Sequence, residues 1–208
     1  MSEMAHHLEG IAGGLRKDLE QKDAAREKAM PLSRDAIRDC SQAIRAVHRG
    51  EFDRASALLE AARGRIDEAQ AGFAAYSEFS NTGFIRDAQK EYAEGRIMLA
   101  LVWGEAVPPP EDLNVDTAAY LNGMGEAAGE LRRYLLDNMR RGDLSRGEEL
   151  LTAMDDIYSV LITMDFPDGI TGGLRRTTDM VRGVLERTRS DLTLAISQKR
   201  LEDRLEKP

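Results

Sequence analysis

Cysteine is almost missing from this chain of 208 residues, because Cys40 is its only one. One thiol cannot form a disulfide within a chain, and it excludes a zinc site made of several cysteines. The three histidines, His6, His7 and His48, are too few and too scattered to form a zinc site of their own. A single cysteine also fits a protein from a reducing compartment.

Aromatic residues make up only 5% of the chain, and the β-branched residues occur singly rather than in runs. No segment alternates apolar and polar residues over six positions with Val, Ile or Thr, which is the pattern of a half-buried strand. The sequence therefore predicts no β-sheet. Its plentiful Ala, Arg, Glu, Leu, Asp and Met favour helix instead.

Long apolar runs are missing as well. The most apolar window, residues 97–107, is too short to cross a bilayer and contains Glu105. The first residues lack the basic start and the apolar centre of a signal peptide. We therefore expect a cytoplasmic protein without a membrane-spanning segment.

Basic residues are not in excess. The 29 Lys and Arg stand against 37 Asp and Glu, so the formal net charge is −8. Proteins that bind nucleic acid on an open face usually have a basic balance. The charge therefore argues against a simple open binding face, but it permits a local basic patch or an enclosed channel.

Helical periodicity runs along almost the whole chain. Pro31 is expected to kink or divide the first stretch, and Ser33 to cap a second piece. Short connections favour antiparallel neighbours. We predict one all-α domain, residues 1–208, built as an antiparallel bundle of six to seven long helices. The predicted helices span about 3–49, 52–76, 84–106, 116–141, 144–164 and 174–201, with breaks at Gly50, 79–83, 108–110, 142–143 and 166–173 and a fraying tail from residue 205.

Two pairs of glutamates are candidates for metal chemistry. Glu91 and Glu94 share a face of the third predicted helix, and Glu126 and Glu130 share a face of the fourth. Four carboxylates on two helices could hold Mg²⁺ or Mn²⁺, which prefer oxygen ligands. Acidic residues are so common in this chain that such pairs also arise by chance. The alternative is an ordinary solvated helix face with ion pairs.

Three glycines distinguish the fourth predicted helix from the others. Gly123, Gly125 and Gly129 lie within its interior, where each costs up to about 1 kcal/mol relative to Ala. Together with Ala127 and Ala128 they leave a smooth surface that permits close approach of another backbone. This surface predicts tight helix packing or an oligomer contact, and it could also bring Glu126 and Glu130 near the third helix.

Other notable residues favour structural roles. Cys40 lies on an apolar helical stripe and is expected to be a buried packing residue, and Trp103 is expected in the core or an interface. Clustered arginines are usually solvated and ion-paired, although a phosphate-facing patch is the alternative. They are Arg132, Arg133, Arg140, Arg141 and Arg146, and then Arg175, Arg176, Arg182, Arg187 and Arg189.

Several segments resemble the translin family, and within it most nearly an archaeal-type form of the catalytic subunit, translin-associated factor X. The run 89–94 (Gln-Lys-Glu-Tyr-Ala-Glu) is similar to that subunit's Gln-Glu-Tyr-Val-Glu element. The runs 120–123 (Tyr-Leu-Asn-Gly) and 129–132 (Gly-Glu-Leu-Arg) are similar to the Asp-Tyr-Leu-x-Gly and Gly-Glu-Leu-x-Arg elements of another helix of that subunit. Residues 32–35 and the last helix, which starts Leu-Arg-Arg, also fit.

The resemblance implies an endoribonuclease that uses four acidic residues and a divalent metal to cut single-stranded RNA. Carried over by position, these residues are Glu91, Glu94, Glu126 and Glu130, with Glu126 standing where the family has Asp. The resemblance also implies a hollow homo-oligomer, typically an octamer, which holds its substrate inside. Such an assembly would reconcile the acidic net charge with nucleic-acid binding.

The leading hypothesis is thus a metal-dependent endoribonuclease with Mg²⁺ or Mn²⁺ as cofactor. Arg86, Lys90 and Arg96 flank the third-helix glutamates and are the candidates for binding the phosphates of RNA or single-stranded DNA. Two alternatives stay open. One is a protein that binds single-stranded nucleic acid without cutting it, and the other is a structural helical oligomer.

Overall fold

Helices are the only regular elements among the residues that the computed structural model describes, which are 2–73, 76 and 83–205. This confirms the all-α prediction. The helices in these ranges are α1 (Glu3–His48), α2 (Phe52–Ala71), α3 (Gly83–Trp103), α4 (Pro110–Leu113), α5 (Thr117–Arg140), α6 (Gly147–Leu161), α7 (Asp168–Thr171) and α8 (Leu174–Leu205).

The first helix is continuous over 46 residues and contains Pro31. The predicted division of this stretch is therefore wrong, and Ser33 lies in the helix interior rather than at a cap. Ser2 caps the start of this helix, and its side chain accepts a hydrogen bond from the amide of Ala5. Its C-terminal half packs against α2 and α3 and compensates for the backbone hydrogen bond that proline cannot donate.

The third helix lies at the centre of the bundle. It packs against α1, α2 and α5, and α5 packs in turn against α6 and α8. This position explains why α3 is buried on most sides, with Ile97 and Met98 fully enclosed. The core consists mainly of Ala, Leu, Ile and Val, and Cys40 is fully buried within it, as predicted.

The start of α5 is fixed by a side-chain cap. The Asp116 carboxylate accepts a hydrogen bond of 2.9 Å from the amide of Ala118, and the Asp116 amide donates to the side chain of Gln89 on α3. A carboxylate at this position satisfies a backbone donor at the helix terminus. The predicted start near residue 116 is confirmed, and the cap ties the start of α5 to α3.

Some predicted boundaries differ from the structure. The short helices α4 and α7 lie in segments predicted as breaks, and each is only one turn long. Trp103 is 44% exposed and stacks on Phe52, so it does not belong to the core. The predicted break at 79–83 lies outside the described residues except for Gly83, and so does the predicted fraying tail beyond residue 205. No helix in the described ranges is long and apolar enough to cross a membrane.

Candidate metal centre and adjoining cleft

Three carboxylates meet between α3 and α5. Glu91, Glu94 and Glu126 each offer an oxygen, and these oxygens lie within 4.8 Å of one another. Glu91 and Glu94 are one turn apart on α3, and Glu126 faces them from α5. The structure therefore brings together three of the four predicted glutamates, and we refer to these three as the carboxylate cluster.

A glycine permits the close approach of the two helices. A Cβ atom at Gly123 would lie 2.5 Å from the backbone oxygen of Lys90 and 2.9 Å from the backbone nitrogen of Glu94. Any side chain here would force α5 away from α3. Gly123 precedes Glu126 by three residues, so the contact that it permits also places Glu126 beside the α3 glutamates.

Glu94 is the most deeply buried member of the cluster, with only 7% of its surface exposed. Burial raises its pKa, and the negative charges of Glu91, Glu126 and Glu130 raise it further, to about 9. The nearby ammonium of Lys90 offsets this only in part. Without another cation, Glu94 is thus protonated at neutral pH.

Lys90 supplies a positive charge at the edge of the cluster. Its ammonium lies 2.7 Å from Glu126 and 3.7 Å from Glu91. Burial lowers the pKa of Lys90, but the hydrogen bond and charge of Glu126 outweigh this and raise it overall. For Glu91, burial raises the pKa more strongly than Lys90 lowers it. Lys90 therefore stays protonated and pairs mainly with Glu126.

Glu130 lies one turn beyond Glu126 and binds a different partner. Its carboxylate is 2.6 Å from Nε2 of His48, at the end of α1, and 3.8 Å from Arg133. The hydrogen bond from His48 lowers the pKa of Glu130 and outweighs the effect of burial. Glu130 is therefore a carboxylate held in place by His48. Its negative charge raises the pKa of Glu94, but its oxygens are not among the three that converge.

A cleft of about 540 Å³ adjoins the cluster. Lys90 and Glu126 form its inner wall, and Arg86 and Arg176 line it from α3 and α8. Asn122 fixes its floor. The side-chain nitrogen of Asn122 donates to the carbonyl oxygens of Ala118 and Thr171, both at 2.8 Å. Its side-chain oxygen accepts a 2.6 Å hydrogen bond from the Thr177 hydroxyl. Two acidic residues, Asp87 and Asp168, also border the cleft.

Solved structures show which family has this fold. A structure described as AfC3PO in complex with duplex RNA is 34% identical to this chain and superposes with a TM-score of 0.80. The match covers 90% of this chain and 97% of the AfC3PO chain. The chain belongs to the translin family, which includes the C3PO proteins. The resemblance found in the sequence is thereby confirmed at the level of the family.

Further comparisons agree with this assignment. A crystal structure of AfC3PO is 33% identical over the same coverage, with a TM-score of 0.83. Apo-NeC3PO shares the fold at 18% identity, with a TM-score of 0.79 and coverage of 88% of this chain and 96% of that one. An uncharacterized protein of Methanocaldococcus jannaschii, MJ0175, is 29% identical over 191 residues, which is 91% of this chain and 84% of that protein. No protein-family model matches the chain.

The predicted phosphate-binding residues of this translin-family chain fall in two places. Arg86 and Lys90 border the cleft. Arg96 instead forms an ion pair of 3.2 Å with Glu60 on α2. The structure thus brings two of the three cations to the cleft beside the carboxylate cluster, and Arg96 would have to leave Glu60 to reach a phosphate there.

Three residues around the site escaped the sequence analysis: His48, Asn122 and Arg176. His48 was considered only as a zinc ligand, although it follows Ile44 by four residues on the buried stripe of α1. Asn122 precedes Glu126 by four residues and therefore lies on the same face of α5. This spacing was the signal in the sequence that could have identified Asn122. Arg176 was one of many clustered arginines, and only the packing of α8 against α5 distinguishes it.

Proposed function

We propose that this protein is a divalent-metal-dependent endoribonuclease of the catalytic-subunit type, acting on single-stranded RNA within a hollow homo-oligomer. The observation that carries the proposal is the convergence of Glu91, Glu94 and Glu126. An octamer and activity on single-stranded DNA belong to the same proposal and follow from the family resemblance. A cytoplasmic location also belongs to it and rests on the single cysteine, which fits a reducing compartment.

The carboxylate cluster has the chemistry of a Mg²⁺ or Mn²⁺ site. All of its donors are carboxylate oxygens, which these cations prefer over nitrogen or sulfur. The raised pKa of Glu94 supports the same conclusion, because three carboxylates this close repel one another unless a cation compensates their charge. A bound divalent cation supplies Lewis acidity, which activates water and stabilises negative charge on a phosphodiester.

The chain's own residues orient this site. Lys90 holds Glu126 through its 2.7 Å contact, and His48 holds Glu130 one turn further along α5. Arg86 lies in the adjoining cleft, where its guanidinium can contact a phosphate of the substrate. Glu130 stays in the proposed ligand set as an anchored carboxylate beside the three converging ones.

A second function is favoured by one comparison. AfC3PO is described in a complex with duplex RNA, so RNA binding is recorded for that relative. The second candidate is therefore an RNA-binding protein of this family that does not cut RNA. Single-stranded and duplex RNA have to be tested side by side.

The test is cleavage of end-labelled single-stranded and duplex RNA of the same sequence, with Mn²⁺, Mg²⁺ or chelator. Glu91→Gln keeps the shape of the side chain and removes one ligand charge. We expect metal-dependent cutting of the single strand that falls by about 100-fold or more in this variant, as for lost metal ligands and stabilising charges.

The matched control is Glu68→Gln, the same substitution at an exposed glutamate on α2. It should leave cleavage unchanged. Binding without cutting in every metal would overturn the nuclease proposal in favour of the binding protein. Absence of both binding and cutting at low salt would leave the structural oligomer.

A further inference from the structure

Arg86 is a half-buried cation for which the described part of the chain supplies no hydrogen bond or ion pair. Its Nε atom is enclosed and makes no hydrogen bond there, although the side chain lines the cleft. A guanidinium N–H that loses water without gaining an acceptor costs free energy. An acceptor that enters the cleft would remove this cost.

Arg176 faces the same cleft from the first turn of α8. It is exposed, and no ion pair joins it to another side chain within residues 2–73, 76 and 83–205. Most other arginines near it are paired; the adjacent Arg175, for example, lies 3.0 Å from Asp165. The cleft is thus bordered by two arginines that are free to bind an anion.

The walls of the cleft are held in place by the hydrogen bonds of Asn122. This side chain joins α5 to the end of α7 through Thr171 and to α8 through Thr177. A buried amide that satisfies three partners fixes the relative positions of these elements. Arg176 on α8 is therefore held at a fixed position relative to α5, and the packing of α3 against α5 places Arg86 along the same space.

We propose that this cleft binds the nucleotide next to the bond that is cut, with its phosphate between Arg86 and Arg176. The inference rests on the proposed function and adds a second contact point for the substrate. Glu126 belongs to both the cleft and the carboxylate cluster, and Lys90 lines the cleft and contacts Glu126, so a strand in the cleft continues directly to the cluster. The volume of about 540 Å³ lies within the range of small-molecule sites.

The mixed charge of the cleft fits a nucleotide better than a free anion. Asp87 and Asp168 border it together with the two arginines. Carboxylates accept hydrogen bonds from the amino groups of bases, whereas arginines bind phosphate. A nucleotide presents both kinds of group, and inorganic phosphate presents only one.

The experiment uses the full-length chain and a labelled single-stranded RNA of ten nucleotides. Arg86→Gln and Arg176→Gln are combined, and affinity is measured against salt concentration in chelator, followed by KM and kcat with Mn²⁺. We expect weaker binding and a KM raised about tenfold or more. The slope of log affinity against log salt should decrease by about 0.7, the value for one phosphate contact on a single strand.

The matched control is Arg175→Gln combined with Arg189→Gln. It also removes two positive charges, both from α8, at exposed ion pairs with Asp165 and Asp155 outside the cleft. It should change neither the slope nor KM. Circular dichroism and thermal midpoints of both double variants confirm that each is folded.

The outcomes separate the two proposals. An unchanged slope and KM in the cleft variant, with a wild-type chain that binds RNA, overturn the cleft inference alone. Wild-type binding without cutting overturns the nuclease proposal, while the slope still decides the cleft. A cleft variant and a control variant that weaken binding equally point to general charge and also overturn the inference. No binding by the wild-type chain overturns both.

Discussion

Glu94 shows how one residue can link stability to ligand binding. Its carboxyl pKa is about 9 in the folded chain, against an ordinary value near 4.5. Between these two values the folded state keeps a proton that the unfolded state has lost. The metal-free protein should therefore lose stability as pH rises from about 5 to about 9.

Glu94→Gln should remove this pH dependence, because the amide is neutral at every pH. We expect the metal-free variant to melt several degrees above the metal-free wild type at pH 8, with a smaller difference at pH 5, since 1 kcal/mol shifts the midpoint by about 2–4 °C in a domain of this size. Thermal denaturation in chelator measures this. Mn²⁺ should stabilise the wild type and not the variant.

Glu68→Gln again serves as the control, since that glutamate is exposed on α2. A Glu94→Gln variant that melts at or below the wild-type temperature at pH 8 would contradict the proposed protonation of Glu94. Proton release on Mn²⁺ binding gives an independent check by calorimetry in two buffers.

His48 is a positioning residue for Glu130 in our proposal. His48→Ala removes the 2.6 Å partner and leaves the carboxylate with only the more distant Arg133. We expect Mn²⁺ affinity or kcat to fall by about 10- to 100-fold, as for other partners of metal ligands. His48→Gln retains a donor and should restore part of the loss, whereas His7→Ala, at an exposed histidine, should have no effect.

Partial rescue distinguishes positioning from packing. His48 is also buried next to Tyr134, so a loss of folding would affect both variants equally. Equal activity of His48→Ala and the wild type at matched stability would show that Glu130 needs no anchor.

The contact of α3 and α5 depends on Gly123 at the scale of whole helices. Gly123→Ala places a methyl group 2.5 Å from the backbone oxygen of Lys90, where no flexible side chain can move aside. We expect a loss of about 1–3 kcal/mol in the free energy of unfolding, as for other overpacked sites. The separation of the helices should also weaken Mn²⁺ binding, because Glu126 moves with α5.

Gly129→Ala is the matched control, six residues further along the same helix. A Cβ atom there meets nothing within 4 Å. This substitution should stabilise the chain by up to about 1 kcal/mol, because alanine favours helix over glycine. Urea denaturation of both variants measures the difference, and equal effects would show that helix propensity rather than packing governs both positions.

The long helices could be predicted from the sequence, but the site could not be predicted from patterns alone. Apolar periodicity and Gly or Pro breaks gave α2, α3, α5, α6 and α8 within a few residues. One-turn helices such as α4 and α7 contain too few residues to show a period. Pro31 was misjudged because packing against neighbours outweighs its local cost.

The convergence of the glutamates is a property of the contact between helices. The spacing of Glu91 and Glu94 places them on one face of α3, but nothing in their local sequence says that α5 crosses that face. The glycines of α5 predicted a close contact with another helix, and Gly123 does contact α3. A Cβ atom at Gly125 would instead meet Thr177 and Val181 on α8 and Leu161 at the end of α6. A Cβ atom at Gly129 would meet nothing within 4 Å.

At the scale of the whole molecule, the net charge of −8 is distributed unevenly. Many charged side chains on the outer helix faces form exposed ion pairs, such as Arg189 with Asp155. Such pairs contribute little to stability and attract no polyanion. Two arginines without an ion pair in the described part of the chain, Arg86 and Arg176, line the cleft, so the acidic balance of the chain is compatible with a local site for RNA.

Stability should reside in the bundle rather than in the first part of α1. None of residues 2–28 is buried, and an exposed apolar stripe runs along one side of this segment. Its members are Met4, Leu8, Ile11, Leu15 and Leu19. Combined Leu8→Glu and Leu15→Glu should leave the urea midpoint of the dilute chain almost unchanged, because both side chains are already more than half exposed. Leu131→Ala, at a fully buried position, should cost about 2–5 kcal/mol.

The same variants also bear on assembly. A stripe with spacings of three and four residues can pack against another helix, and burial there would make stability depend on protein concentration. If the double variant unfolds earlier than the wild type, and the wild-type midpoint rises with concentration, the stripe is buried between copies. Light scattering then gives the mass of each form, against a chain of 23.1 kDa. A midpoint that is lowered in the variant but independent of concentration would instead contradict the assignment of stability to the bundle alone.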